Sequence, residues 1–113
     1  MYFNEYQQLA ERTASRGAKD TPESRFVNFA FGLAGEAGEV IDSLKKHLFH
    51  GHPLDRERLK LELGDVLWYI ATITTTAGMT LEDVAIANIE KLKARYPDGF
   101  DSEKSINRGV GNE

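Results

Sequence analysis

Two long apolar stripes with one helical period, separated by a short turn-rich break, limit what this chain can fold into more than any other feature. Phe26, Phe29, Ala30, Leu33, Ala37, Val40, Ile41, Leu44 and Leu48 recur mostly three or four residues apart, the spacing that lines one face of an α-helix. Leu59, Leu63, Val66, Leu67, Ile70, Ile73 and Ala77 repeat the pattern. Between them lies Phe49-His50-Gly51-His52-Pro53, where glycine and proline favour a turn over continued helix. A one-sided apolar helix must bury its stripe against another element. A short connection makes consecutive helices antiparallel neighbours. The expected fold is all-α, an antiparallel bundle of about four helices completed by oligomerisation.

The helix ends carry local signals. Thr21-Pro22 is a cap followed by a proline that tolerates the first helical position. Asp55 opens the next helix and Gly78 closes it. A first helix is expected from about Asn4, as its cap, to Ala14, with Tyr6, Leu9, Ala10 and Thr13 as a modest stripe. Gly17 to Asp20 forms a polar break. A last helix starts at Thr80, with Asp83 completing a capping-box variant. It continues through Val84, Ala87, Ile89 and Leu92, and stops before Pro97. Lys91, Lys93 and Arg95 complement its dipole. The chain reads as a single domain over 1–113, whose tail from about 101 is expected to be mobile or packed on a partner subunit. With 113 residues the buried fraction is modest, and such small helical chains often gain stability by associating.

Bulk properties exclude several classes. The net charge is -4, so no general affinity for nucleic acid or anionic lipid is expected. There are no cysteines, which removes disulfides, thiolate metal sites and cysteine nucleophiles. No apolar run is long enough to span a bilayer, and Met1-Tyr2-Phe3-Asn4-Glu5 lacks the basic start of a secretory signal. A cytoplasmic location is expected.

The chemistry concentrates in two acidic pairs, Glu36-x-x-Glu39 and Glu62-x-x-Asp65. Residues three apart share a helix face. A lone pair of this kind usually does no more than solvate its helix, but three arguments favour a joint site. With Glu36 at zero, its helix's stripe centres near roughly +80° and Glu39 near about -60°. With Glu62 at zero, the corresponding values are roughly +75° and about -60°. Antiparallel packing by those stripes therefore puts both pairs on one side. The first pair lies about ten residues before the turn and the second about eight or nine after it, so they meet at similar height, roughly 15 and 13 Å along the axes. Finally, four crowded carboxylates repel one another unless a cation compensates. All-oxygen donors suit magnesium, manganese or calcium rather than zinc or copper. Magnesium commonly binds a few carboxylates together with substrate phosphates.

Gly32, Gly35 and Gly38 flank the first pair. Each costs about 1 kcal/mol relative to alanine in a helix interior. Close helix packing is the principal explanation, with room for a ligand as the second.

The string Leu33-Ala-Gly-Glu36-Ala-Gly-Glu39-Val, followed after a spacer from Val40 to Leu61 by Glu62-Leu-Gly-Asp65-Val-Leu-Trp-Tyr, resembles the MazG-like nucleotide pyrophosphohydrolases. These belong to the all-α NTP pyrophosphatase superfamily, with dimeric dUTPases and phosphoribosyl-ATP pyrophosphatase. The segment Asn88-Ile-Glu-Lys91-Leu-Lys-Ala-Arg95-Tyr96-Pro-Asp-Gly-Phe100 resembles the family's last helix and its exit. The similarity spans roughly Phe26 to Phe100.

The resemblance implies hydrolysis of NTP or dNTP to the monophosphate and diphosphate by water attack on the α-phosphorus, in nucleotide-pool house-cleaning. It implies that Glu36, Glu39, Glu62 and Asp65 hold Mg2+, with Mn2+ as a substitute. Glu36 and Glu39 would be catalytic, Glu39 orienting or deprotonating the water. Lys91, Arg95 and Lys45 or Lys46 would bind the outer phosphates, and Asn88 and Tyr96 the sugar or base. A homodimer or dimer of dimers is implied, because a neighbouring subunit commonly completes the site in this family.

Two other classes compete. A ferritin-like di-iron bundle also places carboxylates on facing helices but uses Glu-x-x-His, and no histidine stands at that spacing here. A non-catalytic helical interaction module would carry the acids as decoration. His47, His50 and His52 read as turn histidines away from the acids. Trp68 lies off the stripe by periodicity, which suggests base stacking or an oligomer contact. Asp42 extends the acid row by one turn, as a residue behind the metal ligands or a solvated one.

Overall fold

Among the described residues five helices follow one another: α1 (Phe3–Glu11), α2 (Pro22–Phe49), α3 (Arg56–Thr76), α4 (Leu81–Arg95) and the short α5 (Ser102–Ile106). The computed structural model describes residues 1–14, 20–100 and 102–106, and no strand occurs among them. The fold is all-α, as the periodicity requires. The tail beyond residue 106 and most of the expected break at Gly17 to Asp20 lie outside the described residues.

The long helices start where their caps stand. Thr21 Oγ1 accepts from the Ser24 amide at 3.1 Å, and the Thr21 amide donates to Ser24 Oγ at 3.0 Å. This reciprocal box satisfies two amides, with serine in the place more often held by Glu or Gln. Asp55 Oδ1 accepts from the Arg58 amide at 3.0 Å. Gly78, at φ 73°, follows the end of α3 and its amide donates to the Thr75 carbonyl at 3.0 Å. The first helix differs from expectation. Its cap is Tyr2 without a side-chain bond, and Asn4 lies one residue inside. The helix ends at Glu11, after which Thr13 bonds back to the Ala10 carbonyl at 2.9 Å through its hydroxyl.

Side-chain pairs set the direction of α2 against α3. Arg25 Nε donates to Thr76 Oγ1 at 3.2 Å. Further along, the Phe29 ring lies 5.8 Å from that of Trp68 and 6.4 Å from that of Tyr69, and Gly32 faces Tyr69. From Arg25 to Gly32 on α2 the partner retreats from Thr76 to Tyr69 on α3, which is the antiparallel hairpin expected from the short turn.

The chain divides into two compact units, Met1–Leu81 and the residues from Glu82 onward. In the first, Ala10, Ala71 and Leu81 are buried, with Tyr6, Leu67, Trp68 and Ile70 packed against them. Gln7 ties α1 to the end of α3. Its amide nitrogen donates to Thr75 Oγ1 at 2.9 Å and the Met79 carbonyl at 3.0 Å, and its oxygen accepts from the Leu81 amide at 2.7 Å. Trp68 is part of this stitching. Its indole N–H reaches Thr13 Oγ1 at 2.8 Å and the Ala10 carbonyl at 3.1 Å. The expected outward role for Trp68 is therefore corrected: α1, whose docking the α3 periodicity does not reveal, covers that face. In the second unit, Gly99 turns the chain at φ 94° and Tyr96 packs its ring 5.4 Å from Phe100.

Part of the predicted stripe stays open: Phe26, Ile41, Leu48 and Leu63 are exposed, as are Phe31, Phe49 and Leu61 outside it. The glycines also separate. A Cβ on Gly32 would overlap the Tyr69 ring, whereas one on Gly35, Gly38 or Gly64 would meet nothing within 4 Å. Close packing within the chain thus accounts for Gly32 alone. Tyr69 cannot swing aside freely, because Phe29 and Trp68 flank its ring, the latter at 4.9 Å. Overpacking of this kind costs about 1–3 kcal/mol, more than the helix-propensity gain of about 1 kcal/mol. Gly32→Ala is expected to lower the midpoint of thermal unfolding, while Gly35→Ala leaves it unchanged or raises it; scanning calorimetry of the two variants checks the contrast.

Candidate metal centre

Both acidic pairs lie in the first unit, one on each arm of the hairpin. Glu36 and Glu39 sit midway along α2, Glu62 and Asp65 in the first half of α3. The caps at Thr21 and Asp55 fix where each helix begins, and the aromatic contacts fix the register between them. That register carries Glu36 opposite Glu62 and Asp65. Their proximity registers in the Glu36 carboxyl, whose pKa is raised above its ordinary value by loss of solvation and then by the charges of Asp65, Glu39 and Glu62. Like charges at short range disfavour one another's ionisation.

Glu62 is the most enclosed of the four. Its side chain is 12% exposed, Oε1 accepts from Arg58 Nε at 2.8 Å, and Oε2 is buried with no hydrogen-bond partner. A buried carboxylate oxygen left without a donor is costly, and a cation is the species that would satisfy it. Glu39 and Asp65 are exposed and Glu36 is half-buried. Among the described residues, no three histidine or acid side chains converge as a ready-made cation cage. The acids share a neighbourhood that raises the Glu36 pKa, but they do not converge on one point. The donor chemistry, all carboxylate oxygen with one buried and unsatisfied, fits a hard divalent cation.

Two residues beside the acids stand outside the sequence motifs. The pKa of Arg58 is raised above its ordinary value by its hydrogen bond to Glu62 and the charge of Glu62, and further by Asp42 and Glu39. The Arg58-x-x-x-Glu62 spacing is the one local signal for it. Tyr6 reaches the cluster from α1. Its hydroxyl pKa is raised by burial and by the charge of Asp65. No motif announces Tyr6, because its place depends on how α1 docks.

The remaining candidates divide. Lys45 is exposed on α2, while Lys46 pairs with Asp42 at 3.2 Å. Asn88, Lys91 and Arg95 lie on α4 and Tyr96 just past its end, in the second unit; Asn88 and Lys91 are exposed. His47, His50 and His52 are exposed at the turn, where His47 Nδ1 lies 2.9 Å from the His52 carbonyl. This contact shapes the turn, in keeping with their reading as turn histidines. A groove of about 570 Å3 opens between α1 and Thr75, lined by Gln7, Gln8, Glu11 and Arg12, none of the acid row. Gln7 there is committed to holding α1, so the chemistry of the acids outweighs the size of the groove.

The charge repulsion has a measurable sign. The folded state holds the Glu36 proton more tightly than the unfolded chain does. The resulting stability is fully present below the ordinary value of 4.5 and is lost as pH rises through the raised one. In metal-free buffer, Glu36→Gln is expected to unfold at higher temperature than the parent at neutral pH. The difference should vanish below pH 4.5. Thermal melts across pH with a chelator present check this.

The family model for the MazG nucleotide pyrophosphohydrolase domain matches residues 28–100, which include both acid pairs. The chain is 33% identical over 114 residues to the "Gene 37 protein" of Mycobacterium phage L5, an alignment covering 96% of this chain and 100% of that protein. No solved structure matches significantly. With the family model extending over more than half of its length, the chain belongs to the MazG nucleotide pyrophosphohydrolase domain family.

Proposed function

We propose that this protein is a divalent-metal-dependent nucleoside triphosphate pyrophosphohydrolase, converting NTP or dNTP and water to NMP or dNMP and diphosphate. The observation that carries the reading is the acid quartet itself. Two helices bring four carboxylates to one neighbourhood, raise the Glu36 pKa, and leave Glu62 Oε2 buried without a partner. A fold bears such a cost readily where a cation offsets it.

In this proposal Glu36, Glu39, Glu62 and Asp65 hold Mg2+, or Mn2+ in its place. The bound cation would offset charge on the phosphate oxygens and polarise the attacking water. Glu39, exposed on the open side of α2, orients that water and takes its proton. As the new oxygen–phosphorus bond forms at the α-phosphorus, the bond from that phosphorus to the α–β bridging oxygen breaks. Diphosphate departs with the bonding electron pair. Lys45 and Lys91, both exposed, are the side chains proposed for the outer phosphates, by charge-assisted hydrogen bonds; Arg95, the third candidate, is buried. Asn88 and Tyr96 serve the sugar or base.

The proposed working form is a homodimer or a dimer of dimers. Open faces at Gly35, Gly38 and Gly64, beside exposed Phe31, Ile41 and Leu61, support it. Apolar surface of this kind on a small domain is stabilised by burial against another subunit. The proposed setting is nucleotide-pool house-cleaning in the cytoplasm. No described helix is long and apolar enough to cross a membrane. The net charge of -4 gives no support to nucleic acid or a membrane as a partner.

Incubation with a panel of NTPs and dNTPs plus Mg2+ is expected to release diphosphate, and chelation to stop it. Glu39→Gln and Asp65→Asn should each reduce the rate by about 100-fold or more with unchanged helical circular dichroism. Orthophosphate as the sole product, or full activity in both variants, contradicts the proposal.

A further inference from the structure

Arg58 is the one cation hydrogen-bonded to a member of the acid quartet among the described residues, and its position is unusual for an ordinary surface pair. It stands in the first turn of α3, one turn before Glu62. Helix side chains lean toward the N-terminus, so Glu62 reaches back to it. The bond is end-on, from Nε to Oε1 at 2.8 Å. Both terminal amino groups of the guanidinium therefore remain without a hydrogen bond among the described residues. The two partners differ in exposure: the Arg58 side chain is 48% exposed and that of Glu62 12%. One end of the pair is anchored in the hairpin while the other is free to leave it. Electrostatically, Arg58 serves more than its bonded partner, since Asp42 and Glu39 also favour its charge.

We propose that Arg58 is a built-in counter-ion that occupies Glu62 until a divalent cation displaces it, and that the released guanidinium then binds a phosphate oxygen of the nucleotide. This rests on the metal-and-triphosphate reading above. Both parts follow from charge. Glu62 Oε1 accepts from Arg58 while the buried Oε2 is left for a cation, so an incoming cation meets the guanidinium's positive charge on the same carboxylate and competes with the pair. Four carboxylates against one guanidinium repel a polyphosphate until a metal arrives. Once it does, two adjacent donors in a planar fork match a phosphate's oxygens. Metal and phosphate binding are thereby coupled through one side chain.

The test uses the full chain with Mn2+ alone, followed by electron paramagnetic resonance, and then with an α,β-methylene nucleoside triphosphate. Arg58→Gln should bind Mn2+ about fivefold more tightly than the parent, the scale set by a half-exposed ion pair. At saturating Mn2+ the same variant should bind the analogue about tenfold more weakly, as expected for loss of a charge-assisted hydrogen bond. Arg58→Lys keeps the charge and should retain Mn2+ affinity near that of the parent. Equal or weaker Mn2+ binding by Arg58→Gln overturns the inference, as does unchanged analogue binding or an Arg58→Lys variant that behaves like Arg58→Gln. Failure of parent and Arg58→Gln alike to bind Mn2+ removes the underlying metal reading too. Mn2+ binding that is equal in both removes the role of Arg58 alone.

Discussion

The register between α2 and α3 is the constraint on which the rest depends. Gly32 lies against Tyr69, whose ring is flanked by Phe29 and Trp68. The contact leaves no room for a Cβ, so α2 cannot slide by a turn without driving a side chain into an aromatic ring. Close-packed interiors resist such displacement. One helical turn is about 5.4 Å, enough to separate Glu36 from Asp65. Trp68 extends the same lock to α1 through Ala10 and Thr13. That contact also positions Tyr6 to sense the charge of Asp65. A single aromatic cluster thus aligns three helices, and Glu36 and Asp65 follow one turn further along the same faces as Gly32 and Tyr69.

Those acids work against the fold that gathers them. The raised Glu36 pKa and the partnerless Glu62 oxygen are two expressions of one electrostatic cost. The chain lowers it by keeping the exposed carboxylates in water and setting Arg58 on Glu62. Arg58 is a partial remedy, being a single charge on a half-exposed side chain, and such pairs contribute little net stability. A divalent cation would be a larger one, and in the proposed function the arrangement that strains the metal-free chain is what would favour a ligand. The glycines beside both pairs, Gly35, Gly38 and Gly64, face open space.

The fold and the nearness of the two acid pairs in the candidate site are legible in the sequence because both depend on periodicity. The stripes from Phe26 to Leu48 and from Leu59 to Ala77 require two helices, and the angular offset of the acid pairs alone puts them on one side of the hairpin. The caps at Thr21 and Asp55 and the stop at Gly78 are visible as local chemistry. What depends on a third element is not. Trp68 is off its helix's stripe and faces outward by that measure, but it packs on α1. Gly32, Gly35 and Gly38 have the same residue type and spacing, and only docking shows that Tyr69 crowds the first and nothing crowds the others. Arg58 stands at a legible spacing from Glu62, yet its interaction with Asp42 and Glu39 arises across the hairpin.

The central claim is that Glu36, Glu39, Glu62 and Asp65 are ligands to a divalent cation. The most direct measurement is the anomalous diffraction of crystals grown with Mn2+ and an α,β-methylene nucleoside triphosphate. The account predicts a manganese peak between α2 and α3, in contact with oxygens of Glu62 and of at least one residue of the other pair. Arg58 should then be turned away from Glu62. Crystals with no anomalous peak at the acid row, and Arg58 still bonded to Glu62 beside a bound nucleotide, would contradict it.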